Sequence, residues 1–323
     1  MLDRQGRTID YLRVSVTDQC NYRCVYCMPA GGVASIAHDD VLTFEEILRL
    51  VRLAAGLGVR VVRVTGGEPM ARRNCLELVQ AIHDVPGIER VTMTTNGALL
   101  LGRMAEAKAM GLSGVNISLD AIDPDVFRRM TRLGDVGEVL TALDEALACG
   151  LQVKVNAVPV RGLNEDGLVA VAELARTRPV DVRFIELMPV GCGATMQPVP
   201  TDEVIRRMEV AFGPMAPDDT RHGFGPARYM KPAGFTGSIG VIGAVTHGFC
   251  ETCNRVRLTA DGRLKLCLNH QSGLDLRSML RSGAGDKELT AAMREAIARK
   301  PARHDFLEDV ADRENRRMNE IGG

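Results

Sequence analysis

The chain has 323 residues, of which 46% are hydrophobic and 25% are charged, enough for one large α/β domain and a smaller appendage. Its 40 Lys and Arg residues nearly balance its 41 Asp and Glu residues, which argues against nucleic acid or an anionic membrane surface as a partner. The start is polar, and no run reaches the roughly 18 apolar residues of a membrane span. We therefore expect a soluble cytoplasmic protein.

Predicted strands alternate with amphipathic segments between residues 11 and 190. The strand candidates are 11–17, 59–65, 90–95, 114–119, 153–160 and 182–188. The clearest helix signal is at Thr43, whose hydroxyl can cap a helix while Glu46 reaches back to it; Gly56 and Gly58 end that helix. Repeated βα units imply a parallel sheet with right-handed crossovers. Six units predict an α/β fold, either a partial (βα)6 barrel or an open sheet, because a closed barrel needs eight.

The alternation stops after residue 190. Residues 213–249 are rich in Gly and Pro and contain a short β-prone piece at 238–245, and residues 286–300 again have a helical pattern. In that helix Leu289, Met293 and Ile297 share one face. We therefore predict a barrel domain over residues 1–215 and a smaller α+β region over residues 216–323.

One face of the predicted strands is polar, although strands of parallel sheets are usually apolar on both faces. The residues in this phase are Arg13, Ser15, Thr17, Arg63, Thr65, Thr92, Thr94, Asn96, Asn116, Ser118, Asp120, Lys154 and Asn156. Each unpaired buried polar group costs on the order of 2 kcal/mol, so the pattern predicts a wet lumen that binds a large polar ligand.

Four cations, Arg13, Arg63, Lys154 and Arg183, lie on these strands and favour an anionic ligand such as a polyphosphate. The alternative is that some of them form structural ion pairs with Asp120 or Glu186. The motifs with chemical potential follow the carboxyl ends of the strands, where βα barrels place their active sites.

Six of the nine cysteines form two trios, and closely spaced cysteines in a cytosolic chain usually bind metal. The first trio is Cys20, Cys24 and Cys27, and the second is Cys250, Cys253 and Cys267. Three thiolates can hold a 4Fe–4S cluster with one iron open. A zinc ion would need a fourth ligand, with His38 or Asp18 nearest for the first trio and His270 for the second. At the second trio the spacing alone leaves both possibilities open.

The other three cysteines stand alone in the sequence. Cys75 and Cys149 lie in helix-like stretches, where we expect them to be small buried hydrophobic residues. Cys192 lies in a Gly-rich loop and has no predicted role.

CxxxCxxC after the first strand, followed by Gly66-Gly67-Glu68-Pro69 after the second, resembles the radical SAM superfamily. The resemblance implies that the amino and carboxylate groups of S-adenosylmethionine (SAM) chelate the open iron of a 4Fe–4S cluster. It implies that the methionyl amine of SAM contacts the backbone around Gly67, where the lack of a side chain permits close approach. It assigns the adenine to Tyr26.

Three further runs resemble the GTP 3′,8-cyclase family, also called molybdenum cofactor biosynthesis protein A. They are residues 20–29, residues 183–191 and Cys253-Asn254-Arg255-Val256-Arg257. The resemblance extends from about residue 8 to the terminus, where Gly322-Gly323 is similar to a tail that reaches the active site. Val61 departs from it, since many relatives have Lys there; Arg60 is the candidate replacement.

The resemblance to this family implies two 4Fe–4S clusters, the second held by the second trio and binding guanine. Its implied SAM contacts are Tyr26, Gly67, Ser118 and Met188. Its implied GTP contacts are Arg13, Arg63, Thr94, Lys154, Arg255 and Arg257, with Arg183 as a further candidate; Arg13, Arg255 and Arg257 are also the implied catalytic residues.

The implied reaction converts GTP to (8S)-3′,8-cyclo-7,8-dihydroguanosine 5′-triphosphate, the first step of molybdenum cofactor biosynthesis. Reductive cleavage of SAM starts it by forming a 5′-deoxyadenosyl radical, which removes the hydrogen of the ribose 3′ carbon. The implied partners are a flavodoxin- or ferredoxin-type reductant and cyclic pyranopterin monophosphate synthase, and the chain would be a monomer or homodimer. The alternatives are another radical SAM enzyme with an auxiliary cluster, such as a peptide modifier, or a zinc-stapled nucleotide-binding regulator.

Overall fold

The computed structural model describes residues 1–220, 222–304, 306, 312 and 314–322. Its strands are β1 (Tyr11–Ser15), β2 (Val61–Thr65), β3 (Arg90–Thr95), β4 (Leu112–Ser118), β5 (Gln152–Ala157), β6 (Asp181–Ile185), β7 (Met215–Pro217), β8 (Arg228–Pro232), β9 (Ser238–Ile242), β10 (Arg255–Leu258), β11 (Arg263–Lys265) and β12 (Gly273–Asp275). Its α-helices are α1 (Phe44–Gly56), α2 (Cys75–His83), α3 (Met104–Ala109), α4 (Pro124–Thr131), α5 (Val136–Ala148), α6 (Leu168–Ala172), α7 (Leu174–Thr177), α8 (Thr201–Phe212), α9 (Leu276–Arg281), α10 (Asp286–Ala298) and α11 (Met318–Ile321).

These strands form one mixed sheet in the order β12-β11-β10-β1-β2-β3-β4-β5-β6-β9-β8-β7. The strands from β10 through β1–β6 to β9 are parallel, and the pairs at both ends are antiparallel. Within the described residues the two ends of the sheet are not paired. The α/β partial barrel predicted from the sequence is therefore confirmed.

The six predicted strands form the middle of the parallel run, and C-terminal strands extend it on both sides. β9 pairs with β6, and β10 pairs with β1. The sheet is thus continuous across residue 215, and the division into 1–215 and 216–323 stays a prediction. Across the described part of the chain, no helix has the length and apolar content to cross a lipid bilayer.

The helix signals in the sequence agree with the structure. The backbone N–H of Glu46 donates to the Thr43 hydroxyl at 3.2 Å, and the Thr43 N–H donates to the Glu46 carboxylate at 2.8 Å, which is the predicted capping box. Helix α1 then buries Ile47 and Val51 against the sheet. In α10 the predicted stripe of Leu289, Met293 and Ile297 is buried. The helices therefore cover the outside of the sheet and leave its polar face to the lumen.

Candidate active site

Three arginines on neighbouring strands form a row across the lumen. Arg13 of β1 is in register with Arg63 of β2 on one side and with Arg257 of β10 on the other. Parallel strands lie about 4.8 Å apart, so the three side chains start close together on the same face. Burial lowers the pKa of Arg13, and the charges of Arg257 and Arg63 lower it further. Buried like charges at this spacing favour an anionic ligand.

Lys154 and Arg183 have protein partners in the structure, but not the predicted ones. The Lys154 ammonium pairs with Asp181 at 2.6 Å, and Arg183 donates to the amide oxygens of Asn156 and Asn116. The carboxylates proposed as alternative partners are used elsewhere. Asp120 accepts from the Tyr26 hydroxyl at 2.9 Å, and Glu186 accepts from the backbone N–H groups of residues 245 and 246. The ion-pair alternative was therefore wrong about both carboxylates and right that one lysine is paired.

Two buried hydroxyl groups on the strands around the lumen have no hydrogen-bond partner among the described residues. They are the Thr94 Oγ1 and the Tyr11 hydroxyl, and both residues line the lumen. Buried polar groups are nearly always satisfied, so the two hydroxyls indicate that a polar ligand binds beside them. Thr94 was predicted from the family resemblance. Tyr11 was missed, although it shares the two-residue phase of Arg13 and Ser15.

The first cysteine trio lies in the loop that follows β1, with its thiols facing the upper part of the lumen. Burial raises the pKa of Cys20 to about 11 and that of Cys27 to about 12, and it raises the pKa of Cys24 well above its usual value. The irons of a cluster would reverse this effect by stabilising the thiolates. Backbone N–H groups already point at two of the sulfurs, from Tyr22 to Cys20 at 3.4 Å and from Asn319 to Cys27.

The Gly-Gly-Glu-Pro turn packs directly against the backbone that precedes this trio. The Gly67 N–H donates to the Thr17 carbonyl at 2.7 Å, and the Glu68 N–H donates to the Gln19 carbonyl at 2.8 Å. A Cβ atom on Gly67 would lie 2.4 Å from the Gln19 carbonyl oxygen. Gly67 is therefore required by the approach of two loops, in addition to its predicted role beside SAM.

Glu68 connects the ends of two strands, a role that the motif alone did not predict. Its carboxylate accepts from the Asn96 N–H at 2.8 Å, from the Thr95 hydroxyl at 2.9 Å and from the Met70 N–H at 3.1 Å. Burial raises the pKa of this carboxyl to about 7. Glu68 thus fixes the turn after β2 to the turn after β3, both at the edge of the lumen.

We expect Gly67→Ala to destabilise the protein by about 1–3 kcal/mol, the usual cost of overpacking, and to weaken SAM binding. The added methyl group would force the turn and the cysteine loop apart. Chemical denaturation and equilibrium SAM binding measure the two effects. Gly31→Ala is the matched control, because a Cβ at Gly31 meets no atom within 4 Å. Equal stability and equal SAM affinity of the two variants would contradict the close-approach argument.

The second trio lines the same cavity as the first. Although burial opposes ionisation, the charges of Arg255 and Lys300 lower the pKa of Cys253 to about 7. The proposed zinc ligand His270 pairs instead with Asp312 at 3.1 Å and does not line the cavity. Among the described residues, no three His, Cys, Asp or Glu side chains are placed to hold a single metal ion. The position of His270 disfavours it as a fourth zinc ligand at the second trio.

The remaining cysteines differ in their environments. Cys75 is buried, as expected, whereas Cys149 is partly exposed at the end of α5, which corrects its prediction. Cys192 lies close enough to Cys27 to raise the pKa of that thiol.

One cavity of about 300 Å³ brings nearly all of the predicted site residues together, within the range of volumes that ligand sites have. It is lined by Arg13, Arg63, Arg183, Arg255, Arg257, Thr94, Tyr26, Gly67, Ser118, Met188 and both cysteine trios. Arg257 donates to the Gly322 carbonyl at 2.6 Å, so the tail reaches this cavity; Gly323 lies outside the described residues.

Lys154 lines a second cavity, of about 570 Å³, at the amino-terminal ends of the strands. Tyr11, Arg63 and Arg183 line both cavities, which are therefore neighbouring parts of one lumen. Val61 lines the second cavity, whereas Arg60 pairs with Glu89 at 3.0 Å and lines neither. Arg60 therefore does not replace the lysine that many relatives have at position 61.

Two family models match the chain, the Radical SAM superfamily over residues 14–175 and Molybdenum Cofactor Synthesis C over residues 180–306. Curated proteins named GTP 3′,8-cyclase are similar to it over 100% of both chains, at 45% identity in Pelotomaculum thermopropionicum and 44% in Heliobacterium modesticaldum. The crystal structure of Streptococcus suis SuiB bound to S-adenosylmethionine matches with a TM-score of 0.61 at 13% identity, over 88% of this chain and 67% of that one. At this identity the likeness concerns the fold alone.

Proposed function

The chain belongs to the GTP 3′,8-cyclase family of radical SAM enzymes, and from this membership we infer that it converts GTP to (8S)-3′,8-cyclo-7,8-dihydroguanosine 5′-triphosphate in molybdenum cofactor biosynthesis. One structural observation carries the inference furthest. The row of Arg13, Arg63 and Arg257 and both cysteine trios line a single cavity. A nucleoside triphosphate bound in this cavity would contact the arginine row and reach both trios.

We propose that Cys20, Cys24 and Cys27 hold the first 4Fe–4S cluster and that Tyr26, Gly67, Ser118 and Met188 bind SAM. The cluster and SAM together supply the radical that removes hydrogen from the substrate. Support comes from the seven residues lining one cavity and from the backbone N–H groups aimed at the sulfurs, which tune such clusters. The protein's own contribution is to hold SAM beside the ribose and to keep water out.

We further propose that Cys250, Cys253 and Cys267 hold a second 4Fe–4S cluster whose open iron binds guanine. The cationic surroundings of Cys253 favour its thiolate, the form that binds iron. Arg255, whose guanidinium lies 4.8 Å from the centre of the Phe249 ring, is then placed beside the base.

The second cluster is tested by analysing a Cys267→Ala variant. Because a cluster on this trio needs all three thiolates, we expect anaerobically purified protein to lose about four iron and four sulfide atoms per chain. Metal analysis and acid-labile sulfide determination measure this, with Cys149→Ala as the matched control at a cysteine outside both cavities. Loss of zinc with unchanged iron and sulfide would instead identify the site as zinc.

The proposed substrate contacts are Arg13, Arg63, Thr94, Lys154, Arg183, Arg255 and Arg257, and Arg13, Arg255 and Arg257 are the proposed catalytic residues. The unpartnered hydroxyl of Thr94 and the neighbouring arginine charges support a phosphate- and ribose-binding lumen. The overall proposal is tested by incubating reconstituted protein anaerobically with GTP, SAM and dithionite. Mass spectrometry should detect the cyclic nucleotide and 5′-deoxyadenosine together, and SAM cleavage without any change in GTP would contradict it.

The cellular setting of the reaction is also proposed. A flavodoxin- or ferredoxin-type protein would supply electrons, and cyclic pyranopterin monophosphate synthase would consume the product. We propose that the enzyme works in the cytoplasm, where GTP and such electron donors are present. We further propose that it is a monomer or homodimer.

A further inference from the structure

Lys154 uses its whole hydrogen-bonding capacity on the protein itself. An ammonium group has three N–H donors, and three acceptors surround it. They are the Asp181 carboxylate at 2.6 Å, the Tyr229 hydroxyl at 3.2 Å and the main-chain carbonyl of His222. A phosphate that binds Lys154 must therefore replace one of these acceptors.

Asp181 is held in place by a second residue, His222. The His222 Nδ1 lies 2.9 Å from the second carboxylate oxygen of Asp181, and its Nε2 lies 3.0 Å from Asp218. Its ring stacks on Tyr229 with a centroid distance of 3.9 Å. His222 thus fixes two of the three partners of Lys154 by its side chain and provides the third by its carbonyl.

The charged groups around Lys154 shift its pKa in opposite directions. Burial, Arg183 and Arg63 lower the pKa of Lys154 and Asp181 raises it, and the net pKa is about 8. Among the described residues, the Tyr229 hydroxyl and His222 also lie against the ammonium, and Asp218 pairs with the Nε2 of His222. At neutral pH the charge of Lys154 therefore depends on Asp181, and a neutral amine binds phosphate poorly.

We propose that Asp181 and His222 are positioning residues that keep Lys154 charged and direct it into the second cavity, of about 570 Å³. There Lys154 binds the phosphate chain of the nucleotide. The inference rests on the proposed function, because it takes GTP as the ligand. The carbonyl of His222 is the acceptor that phosphate replaces, because it lies in the loop between β7 and β8 while Asp181 and Tyr229 lie on strands. Neither Asp181 nor His222 touches the substrate.

The test measures GTP binding to the reconstituted holoenzyme by equilibrium dialysis between pH 6.5 and 9. For the unaltered protein, affinity should fall as pH rises through the pKa of Lys154. In Asp181→Asn the supporting charge is gone, so the fall should begin about one pH unit lower, and affinity should drop about threefold at pH 7.5 and roughly tenfold near pH 9. His222→Ala should shift the profile in the same direction by a smaller factor, which provides a second variant if the first folds poorly.

Asp219→Asn is the matched control, since Asp219 is an exposed carboxylate at the rim of the same cavity. Its pH profile should equal that of the unaltered protein. Inorganic tripolyphosphate serves as a second probe that lacks the base and the ribose. If it binds with the same dependence on Asp181 while GTP does not bind, the positioning role holds and the proposed function fails. An unchanged profile for iron-replete Asp181→Asn, with either probe, would overturn the proposal.

Discussion

A Cys24→Ala variant is expected to lose reductive cleavage of SAM completely. Cys24 is the middle member of the first trio, and its thiol lies in a buried environment between the other two. Without it two thiols remain, too few to hold the cluster with one open iron. SAM would then have no site at which to accept an electron. The expected yield of 5′-deoxyadenosine is that of protein without iron.

The measurement is 5′-deoxyadenosine formed with dithionite under anaerobic conditions, together with iron content. Iron should fall by about four atoms per chain, because the second trio is intact. Cys75→Ala is the matched control, as it removes a buried cysteine from helix α2, outside both cavities. Retained cleavage in Cys24→Ala would show that the first trio does not bind the cluster.

An Arg257→Ala variant is expected to make cyclic nucleotide roughly 100-fold more slowly, the usual effect of misplacing a reacting group. Arg257 combines two contacts in the structure. It stands beside Arg13 in the cationic row, and it donates a charge-assisted hydrogen bond to the Gly322 carbonyl at 2.6 Å. Its loss therefore removes a phosphate-binding charge and releases the tail from the cavity.

The decisive quantity is the ratio of SAM cleaved to cyclic nucleotide formed, since all three cysteines of the first trio remain in Arg257→Ala. We expect this ratio to rise sharply and GTP binding to weaken. Arg294→Ala, on the exposed face of α10, controls for the loss of one positive charge. Normal GTP affinity and a normal ratio in Arg257→Ala would refute the proposed role.

The barrel strands could be predicted because local pattern determines them. The start of β1, the end of β2 and both bounds of β3 were predicted to the residue, and the remaining bounds differ by a few residues. The period-two polar phase identified the lumen because an unfilled, charged interior is costly unless a ligand binds there. The positions of β9 and β10 were not predictable. Their pairing with β6 and β1 depends on contacts between distant segments, which a local pattern does not encode.

The sequence-based predictions failed mainly for the ion-pair and hydrogen-bond partners of the charged residues. Lys154 was correctly placed in the lumen, but Asp181 was overlooked because it is the first residue of β6, next to the predicted start at 182. The roles of Glu68 and His222 depend on turns whose geometry the sequence leaves open. Sequence motifs thus located the chemistry, while tertiary contacts decided how each side chain is held.

The pairing of β1 with β10 also constrains how the chain is made. Tyr11 lies beside Arg255, so the first strand acquires its neighbour on that side only after nearly 250 further residues have left the ribosome. Until then β1 exposes an open edge that can pair with other chains, and long-range pairing of this kind folds slowly. Cys250 and Cys253 precede β10, and Cys267 follows it. Iron delivered before Cys267 is made would therefore meet an incomplete set of ligands. A cluster at the second trio can therefore be inserted only after Cys267 has been made, whereas all ligands of the first trio are present from the beginning of synthesis.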